Sequence, residues 1–284
     1  MRLNLSNKAK ATTKKSLKLG AATAIFLMAA LTQQAQAHSR WVLPTHFSIS
    51  SDSGEWLMLD ITASNEVFNV DKAMGADNIS ILTPNKSIEK AASSYKGKRK
   101  SVADYFVEQS GTFKITNNSK ASYFSSYKVG DKRKRFRGNK ADLAAELPKN
   151  ATEVNTRYGM ARVETYVTMN SPSDNFDLDG QFLELQPNTH PSEIVEDEEF
   201  RCKLLFNGKP QANVVVEITM DNARYRNDPK TIKLKTDSSG ELSYIPAQAG
   251  RYLLVAEYQQ PASNKALADI ETGEVFLTFE AQLN

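Results

Sequence analysis

Residues 236–258, TDSSGELSYIPAQAGRYLLVAEY, decide the fold class of this chain. The tight-turn sequence DSSG is followed by a short run, ELSYIP, and then by YLLVAEY, which is almost continuously apolar. Short runs rich in branched and aromatic residues, separated by turn formers, are typical of antiparallel β structure. The stretch therefore predicts consecutive strands of a β-sandwich joined by tight turns.

The sequence on either side of this stretch repeats the pattern. EEFRCKLLFNGKP and ANVVVEITMD precede it, and GEVFLTFEAQL closes the chain. Six or seven short strands within about 105 residues fit a sandwich of the immunoglobulin-like or transthyretin-like kind. We therefore predict that residues 181–284 form a C-terminal domain of this type.

The first half of the chain shows similar short runs with less regular spacing. One short helix is predicted at Lys140–Glu146, with Pro148 ending it. Residues 171–180, SPSDNFDLDG, are polar and rich in turn formers, as a linker between domains would be. The prediction is an all-β chain with two β-sandwich-like domains, residues 38–170 and 181–284. Strands of the first domain are predicted near Trp56–Ala63, Asn78–Leu82, Ser101–Val107, Gly111–Thr116, Ser122–Val129 and Ala161–Met169.

Residues 1–37 have the three parts of a cleavable export signal. Six basic residues precede an apolar run at Leu19–Leu31, and Ala35-Gln36-Ala37 has the pattern of a signal peptidase site. An apolar run of about thirteen residues is too short for a stable membrane-spanning helix. We therefore expect a mature chain that begins at His38, lies in the periplasm and does not span the membrane.

Removal of the signal changes the sign of the net charge. The whole chain has 36 Lys and Arg against 33 Asp and Glu, but six of the basic residues and none of the acidic ones lie in residues 1–37. The mature chain is therefore acidic by three charges. A nucleic-acid partner, which would need a basic chain, is not expected. The one cysteine, Cys202, excludes an intrachain disulfide and is expected to be a buried strand residue.

Several segments resemble a known family along almost the whole mature chain. They are HSRWVLP at 38–44, SNEVF at 64–68, YVTMNSP at 166–172, LELQPNTHP at 183–191, LFNGKPQANVVVEI at 205–218, residues 236–258 and GEVFLTFEA at 273–281. With these segments the chain resembles the DUF4198 family, whose members are often described as periplasmic components of cobalt or nickel transport. The resemblance implies a metal-related periplasmic role and no established catalysis.

The predicted new terminus carries the sharpest chemical hypothesis. A free N-terminal histidine offers its α-amine and its imidazole Nδ1, which together can chelate one metal ion. Both groups release a proton near neutral pH, so a metal ion displaces it at modest cost. Nitrogen donors of this type suit Cu(II), Ni(II), Co(II) and Zn(II). His38 is therefore the predicted metal ligand.

A third nitrogen would complete a histidine brace like that of some copper proteins, and the chain has two other histidines. His46 lies eight residues after His38, and an extended strand would hold the two far apart. His190, in the segment PNTHP, is the preferred partner because it belongs to the second predicted domain. A structural or surface role remains the alternative for each histidine.

Other patterns point more weakly to function. Asn175, Asp177 and Asp179 alternate like calcium ligands, but the twelfth loop position is Gln186 where a Glu is required. The basic runs KGKRK at 96–100 and KRKRFR at 132–137 could bind an anionic ligand, or simply lie at solvated hairpin tips. Trp41 and Trp56 could form a carbohydrate platform, although aromatic strand residues more often belong to the core.

The resulting functional hypothesis is a binding protein and not an enzyme. It predicts a periplasmic accessory protein that binds a divalent transition metal at His38 and supports metal uptake through a TonB-dependent receptor or an inner-membrane transporter. Two alternatives stay open at this point. One is a metal-free envelope interaction module, which would dock through an exposed edge strand or a basic hairpin. The other is a copper redox enzyme built on the histidine brace.

Overall fold

The computed structural model describes residues 38–222 and 227–284, so the predicted export signal lies outside the described residues. Almost all regular structure in these two ranges is β-strand, which confirms the predicted all-β class. The single α-helix of the described residues, α1 (Lys140–Ala144), is two residues shorter than predicted. A 3-10 turn, Pro191–Glu193, follows His190. No helix in the described residues is both long and apolar enough to cross a bilayer.

The strands of the described residues form three sheets. The first sheet contains β1 (Ser39–Pro44), β3 (Glu55–Ser64), β4 (Lys72–Ala73), β7 (Ser93–Lys96) and β8 (Ser101–Val107). The central sheet contains β2 (Ser48–Ile49), β5 (Ser80–Leu82), β6 (Ile88–Glu89), β9 (Gly111–Thr116), β10 (Ser122–Val129), β11 (Lys132–Phe136), β12 (Ala151–Met169), β16 (Val215–Met220), β17 (Ile232–Lys235), β19 (Gly250–Pro261) and β20 (Ile270–Ala281). The third sheet contains β13 (Leu183–Pro187), β14 (Phe200–Phe206), β15 (Lys209–Pro210) and β18 (Glu241–Tyr244).

The central sheet is held together by a parallel pairing between β12 and β20. The register runs from Arg157 opposite Ile270 to Thr165 opposite Thr278. The other edge of β12 pairs antiparallel with β10 and then with β9. Strands from residues 38–170 and 181–284 therefore share one sheet, and His38–Asn284 forms one compact unit.

Two apolar cores lie on opposite faces of the central sheet. Because side chains alternate along a strand, Phe276 of β20 enters one core and its neighbour Leu277 enters the other. The first core joins the central sheet to the first sheet and contains Trp41 and Leu57. The second core joins it to the third sheet and contains Cys202 among others. The sandwich packing predicted for the second half is therefore present.

One face of β12 is buried although it carries polar side chains. Arg162, Glu164, Tyr166 and Thr168 alternate with residues of the opposite face, and the apolar ones among these, Ala161, Val163, Val167 and Met169, point into the first core. Glu164 lies 3.4 Å from the ammonium group of Lys114, and both side chains are at least nine-tenths buried. Burial raises the pKa of Tyr166, and the nearby Glu164 carboxylate raises it further. These groups need polar partners because buried, unpaired charges are costly.

The predicted linker supplies much of that polar cover. Residues 171–180 form no helix or strand, but Asn175 is fully buried and its amide donates to the backbone oxygens of Leu82 and Thr112. Arg162 donates to Asp179 at 2.6 Å, and Glu184 accepts the backbone N–H groups of residues 179 and 180. The segment is thus fixed to the central sheet along its length.

We predict that Glu164→Gln lowers the free energy of unfolding by about 3 kcal/mol, because it leaves the buried ammonium of Lys114 without a counter-charge. The matched control is Glu217→Gln, which breaks an exposed ion pair with Lys233 and should cost less than about 1 kcal/mol. Urea unfolding followed by tryptophan fluorescence measures both. Similar losses in the two variants would contradict the assigned importance of the buried pair.

Candidate functional site at the start of the first strand

His38 immediately precedes β1 and is held close to the body of the protein. Ser39 pairs with Ser64 at the end of β3, so the backbone is fixed from the next residue onward. Three residues later Trp41 is almost completely buried and packs edge-on against Phe68 at 5.6 Å. Arg40 forms a 3.4 Å ion pair with Glu274 of β20. The position of His38 is therefore defined by packing and pairing of its neighbours.

The two ring nitrogens of His38 have different surroundings. Nε2 lies 2.8 Å from the ammonium nitrogen of Lys72 in β4. Nδ1 is buried and has no hydrogen-bond partner among the described residues. A charged lysine can only donate, so in this contact Nε2 is the acceptor and the neutral ring carries its proton on Nδ1. A buried N–H group without a hydrogen-bond partner is energetically unfavourable.

His46 lies at the other end of the same region. It is exposed, just beyond the end of β1. Burial raises the pKa of Glu280, the penultimate residue of β20, and interactions with Arg251 and His46 partly oppose this effect. Gln282, just beyond β20, contacts Ser48, which places His46 near that end of the strand. His38, by contrast, is two residues from Arg40 and hence near Glu274. Six residues of strand separate these two glutamates, a distance of about 20 Å.

His190 is engaged in hydrogen bonds through both ring nitrogens. Its Nδ1 accepts the backbone N–H of Ser192 at 3.1 Å and so caps the 3-10 turn. The ring proton is therefore on Nε2, which donates to Thr112 Oγ1 at 3.0 Å. Thr112 also contacts Thr168 Oγ1 at 3.0 Å. His190 thus links the segment between β13 and β14 of the third sheet to β9 and β12.

The described residues do not bring the three histidines together. His190 and its neighbour Ser192 lie near the chain end, because Gln282 donates to the backbone oxygen of Ser192 and its amide also contacts Ser48. This is the end of β20 near His46 and not the end near His38. Within residues 38–222 and 227–284, no group of three or more His, Cys, Asp or Glu side chains is arranged to hold a metal ion.

The residues of the other sequence motifs form ion pairs, hydrogen bonds or packing contacts within the fold. Asp177 of the calcium-like motif pairs with Lys86 at 2.8 Å, and Asn175 is used to fix the linker. Cys202 is a fully buried strand residue, and burial raises the pKa of its thiol to about 12. Trp41 belongs to the core, whereas Trp56 is 58% exposed on the outer face of the first sheet beside Phe106.

Two contacts of the histidine side chains could not be predicted from any local pattern in the sequence. Lys72 is 34 positions from His38, and Thr112 is 78 positions from His190. Neither separation follows from a motif or a period. Only the clustering of Pro187, His190 and Pro191 in one short segment indicated that His190 had a defined place.

Comparisons with known proteins identify a family and no function. The chain belongs to the family described as "Domain of unknown function (DUF4198)", whose sequence profile matches residues 35–260. No curated protein matches the chain.

Solved structures give only distant likenesses. The D0-D1 domain of Intimin is 14% identical, with 84% of this chain and 96% of that chain covered and a TM-score of 0.21. The adhesin InvE of Yersinia pseudotuberculosis is 10% identical, with 85% and 60% covered and a TM-score of 0.22. The FN1-FN3 domains of chicken CNTN1 are 7% identical, with 87% and 100% covered and a TM-score of 0.23.

We predict that His190→Ala lowers the free energy of unfolding by about 1–2 kcal/mol, because it removes the cap of the 3-10 turn and the bond to Thr112. His190→Asn keeps a side-chain acceptor for the Ser192 N–H and should lose less. Chemical denaturation measures both variants. Equal stability of His190→Ala and the unchanged protein would show that these bonds contribute nothing net.

Proposed function

We propose that this member of the DUF4198 family is a periplasmic protein that binds a divalent transition metal ion through His38 after removal of residues 1–37. The observation that carries the proposal is the buried, unpartnered Nδ1 of His38 at the start of an anchored strand. Cleavage would turn the backbone amide of His38 into an amine next to this nitrogen. The two atoms then form a chelating pair that the uncleaved chain lacks.

The donor set of the site favours particular metals. One amine and one imidazole nitrogen suit borderline ions, with Cu(II) bound most tightly and Ni(II), Co(II) and Zn(II) less so. His190 is not included, because both of its nitrogens are already hydrogen-bonded. The remaining coordination positions would be filled by water or by groups from another protein.

A site with two protein donors and open positions supports a role in transfer of the metal. A closed site of four protein ligands holds its ion as part of the fold, whereas open positions let an incoming ligand replace water. We therefore propose binding and delivery, not turnover, with a TonB-dependent receptor or an inner-membrane metal transporter as the receiving partner. A metal-free docking module is the competing function.

Calorimetry on the processed protein tests the proposal, after intact-mass analysis has fixed its first residue. We expect one Cu(II), Ni(II), Co(II) or Zn(II) ion to bind per chain. Replacing His38 with alanine should weaken binding at least about tenfold, because only the amine of the proposed chelating pair then remains. His46→Ala is the matched control and should bind like the unchanged protein, since His46 is exposed and distant.

Two results would overturn the proposal. One is processing at a bond other than the one between Ala37 and His38. The other is equal metal affinity of the unchanged protein and the His38→Ala variant. A melting temperature that no metal changes would favour the docking module instead.

Lys72 provides a second test of the same site. Its ammonium group contacts Nε2 and so favours the ring form with the proton on Nδ1, the atom that the metal requires. It also adds a positive charge close to the bound cation. We predict that Lys72→Gln tightens metal binding about threefold to tenfold, as calorimetry would measure. Lys98→Gln, at another exposed lysine, should change nothing, and weaker binding in Lys72→Gln would contradict the assigned geometry.

A further inference from the structure

A three-stranded part of the central sheet extends beyond its main body. β12 begins at Ala151, but its pairing with β20 begins only at Arg157. Over residues 151–156 its other edge pairs with β10, which in turn pairs with β11. We call β10, β11 and residues 151–156 the basic arm. β11 is its edge strand and has a single partner among the described strands.

The arm carries a net positive charge, in contrast to the rest of the chain. Residues 128–137 contain six basic residues and one acidic residue. The rest of the chain from His38 onward contains 24 basic and 32 acidic residues. The hairpin at the tip of the arm is therefore positive by five charges, while the rest of the chain is negative by eight.

Few of these basic groups are neutralised within the protein. Glu153 alone pairs with both Lys128, at 2.5 Å, and Arg133, at 2.8 Å. The other four bases of the hairpin are all exposed and form no ion pair in the part of the chain that the structure describes; they are Lys132, Lys134, Arg135 and Arg137. Like charges brought together without counter-charges favour an external anionic partner.

The arrangement of the charges indicates the shape of that partner. Successive residues of β11 point to opposite faces, so Lys132 and Lys134 lie on one face and Arg133 and Arg135 on the other. The bases therefore lie on both faces of the edge strand β11. A compact ligand or a single peptide would contact only some of them, whereas an extended surface with many negative groups can meet them together.

Apolar groups next to the cations favour a lipid surface. Tyr127 lies opposite Lys134 in the hairpin, and Val154 of β12 is 41% exposed. Tyrosine and the aliphatic stems of lysine and arginine are suited to the boundary between headgroups and acyl chains. We propose that the basic arm binds an anionic lipid surface by contacting the phosphate groups of the lipids. The acidic remainder of the protein is then turned away from this surface. The arm shares no residue with the His38 site.

Vesicle co-sedimentation tests this proposal. We expect the processed protein to bind vesicles of phosphatidylglycerol and phosphatidylcholine in equal parts and not vesicles of phosphatidylcholine alone. The triple variant K132Q/K134Q/R135Q should partition at least about tenfold less, because each basic residue contributes to attraction near an anionic surface. Raising the salt to about 0.5 M should release the unchanged protein, since exposed charges are then screened.

The matched control is K98Q/K209Q/K235Q, which removes the same number of charges from exposed lysines outside the arm and should bind as the unchanged protein does. Equal binding by both triple variants, or binding to phosphatidylcholine alone, would overturn the proposal. Retention by polyglutamate without binding to vesicles would assign the arm to an acidic protein and also overturn it. The salt dependence of the unchanged protein gives a test that does not depend on any variant folding.

Discussion

The structure depends on the burial of residues 161–169 of β12 on both faces of the strand. A strand in this position has one neighbour on each edge and a packed layer on each side, so every side chain needs a partner. Its apolar face meets this need by entering the first core. Its other face carries Arg162 and Glu164, whose desolvation is tolerable only with polar groups placed against them. The chain that follows β12 must therefore fold back over it.

This requirement explains why residues 171–193 are ordered although they have little regular structure. Asn175, Asp179 and His190 each provide hydrogen bonds that the covered strands need, and the backbone N–H groups of residues 179 and 180 satisfy Glu184. Burial raises the pKa of Glu184 despite the opposing hydrogen bonds and the charge of Arg162. β20 and β13 also approach each other closely. A Cβ atom at Gly273 would lie 2.5 Å from the backbone nitrogen of Leu183, so glycine is required where β20 passes β13.

Local patterns in the sequence predicted much of the fold but not its long-range pairing. The strands Ser101–Val107, Gly111–Thr116 and Ser122–Val129 have the predicted bounds, because each alternates or is bounded by turn formers. The first half of β12, residues 151–160, was not predicted, since its exposed polar residues resemble a loop. Its parallel pairing with β20 joins residues more than a hundred positions apart, and no local signal encodes this. The sequence favoured an extended strand between His38 and His46, which β1 confirms, whereas the contacts of Lys72 and His190 depend on tertiary packing.

The proposed metal site and the basic arm are related through β12 and β20. The arm exists because β12 is longer than the part of it that β20 covers, and the excess length is available only for pairing with β10. β1 is attached to the same pair of strands through the ion pair of Arg40 with Glu274. Since Glu274 pairs with Ala161, only a few residues from where the arm begins, both features lie toward the same end of β12. If the arm rests on an anionic surface, the end of β12 that lies near His38 is therefore the end held toward that surface.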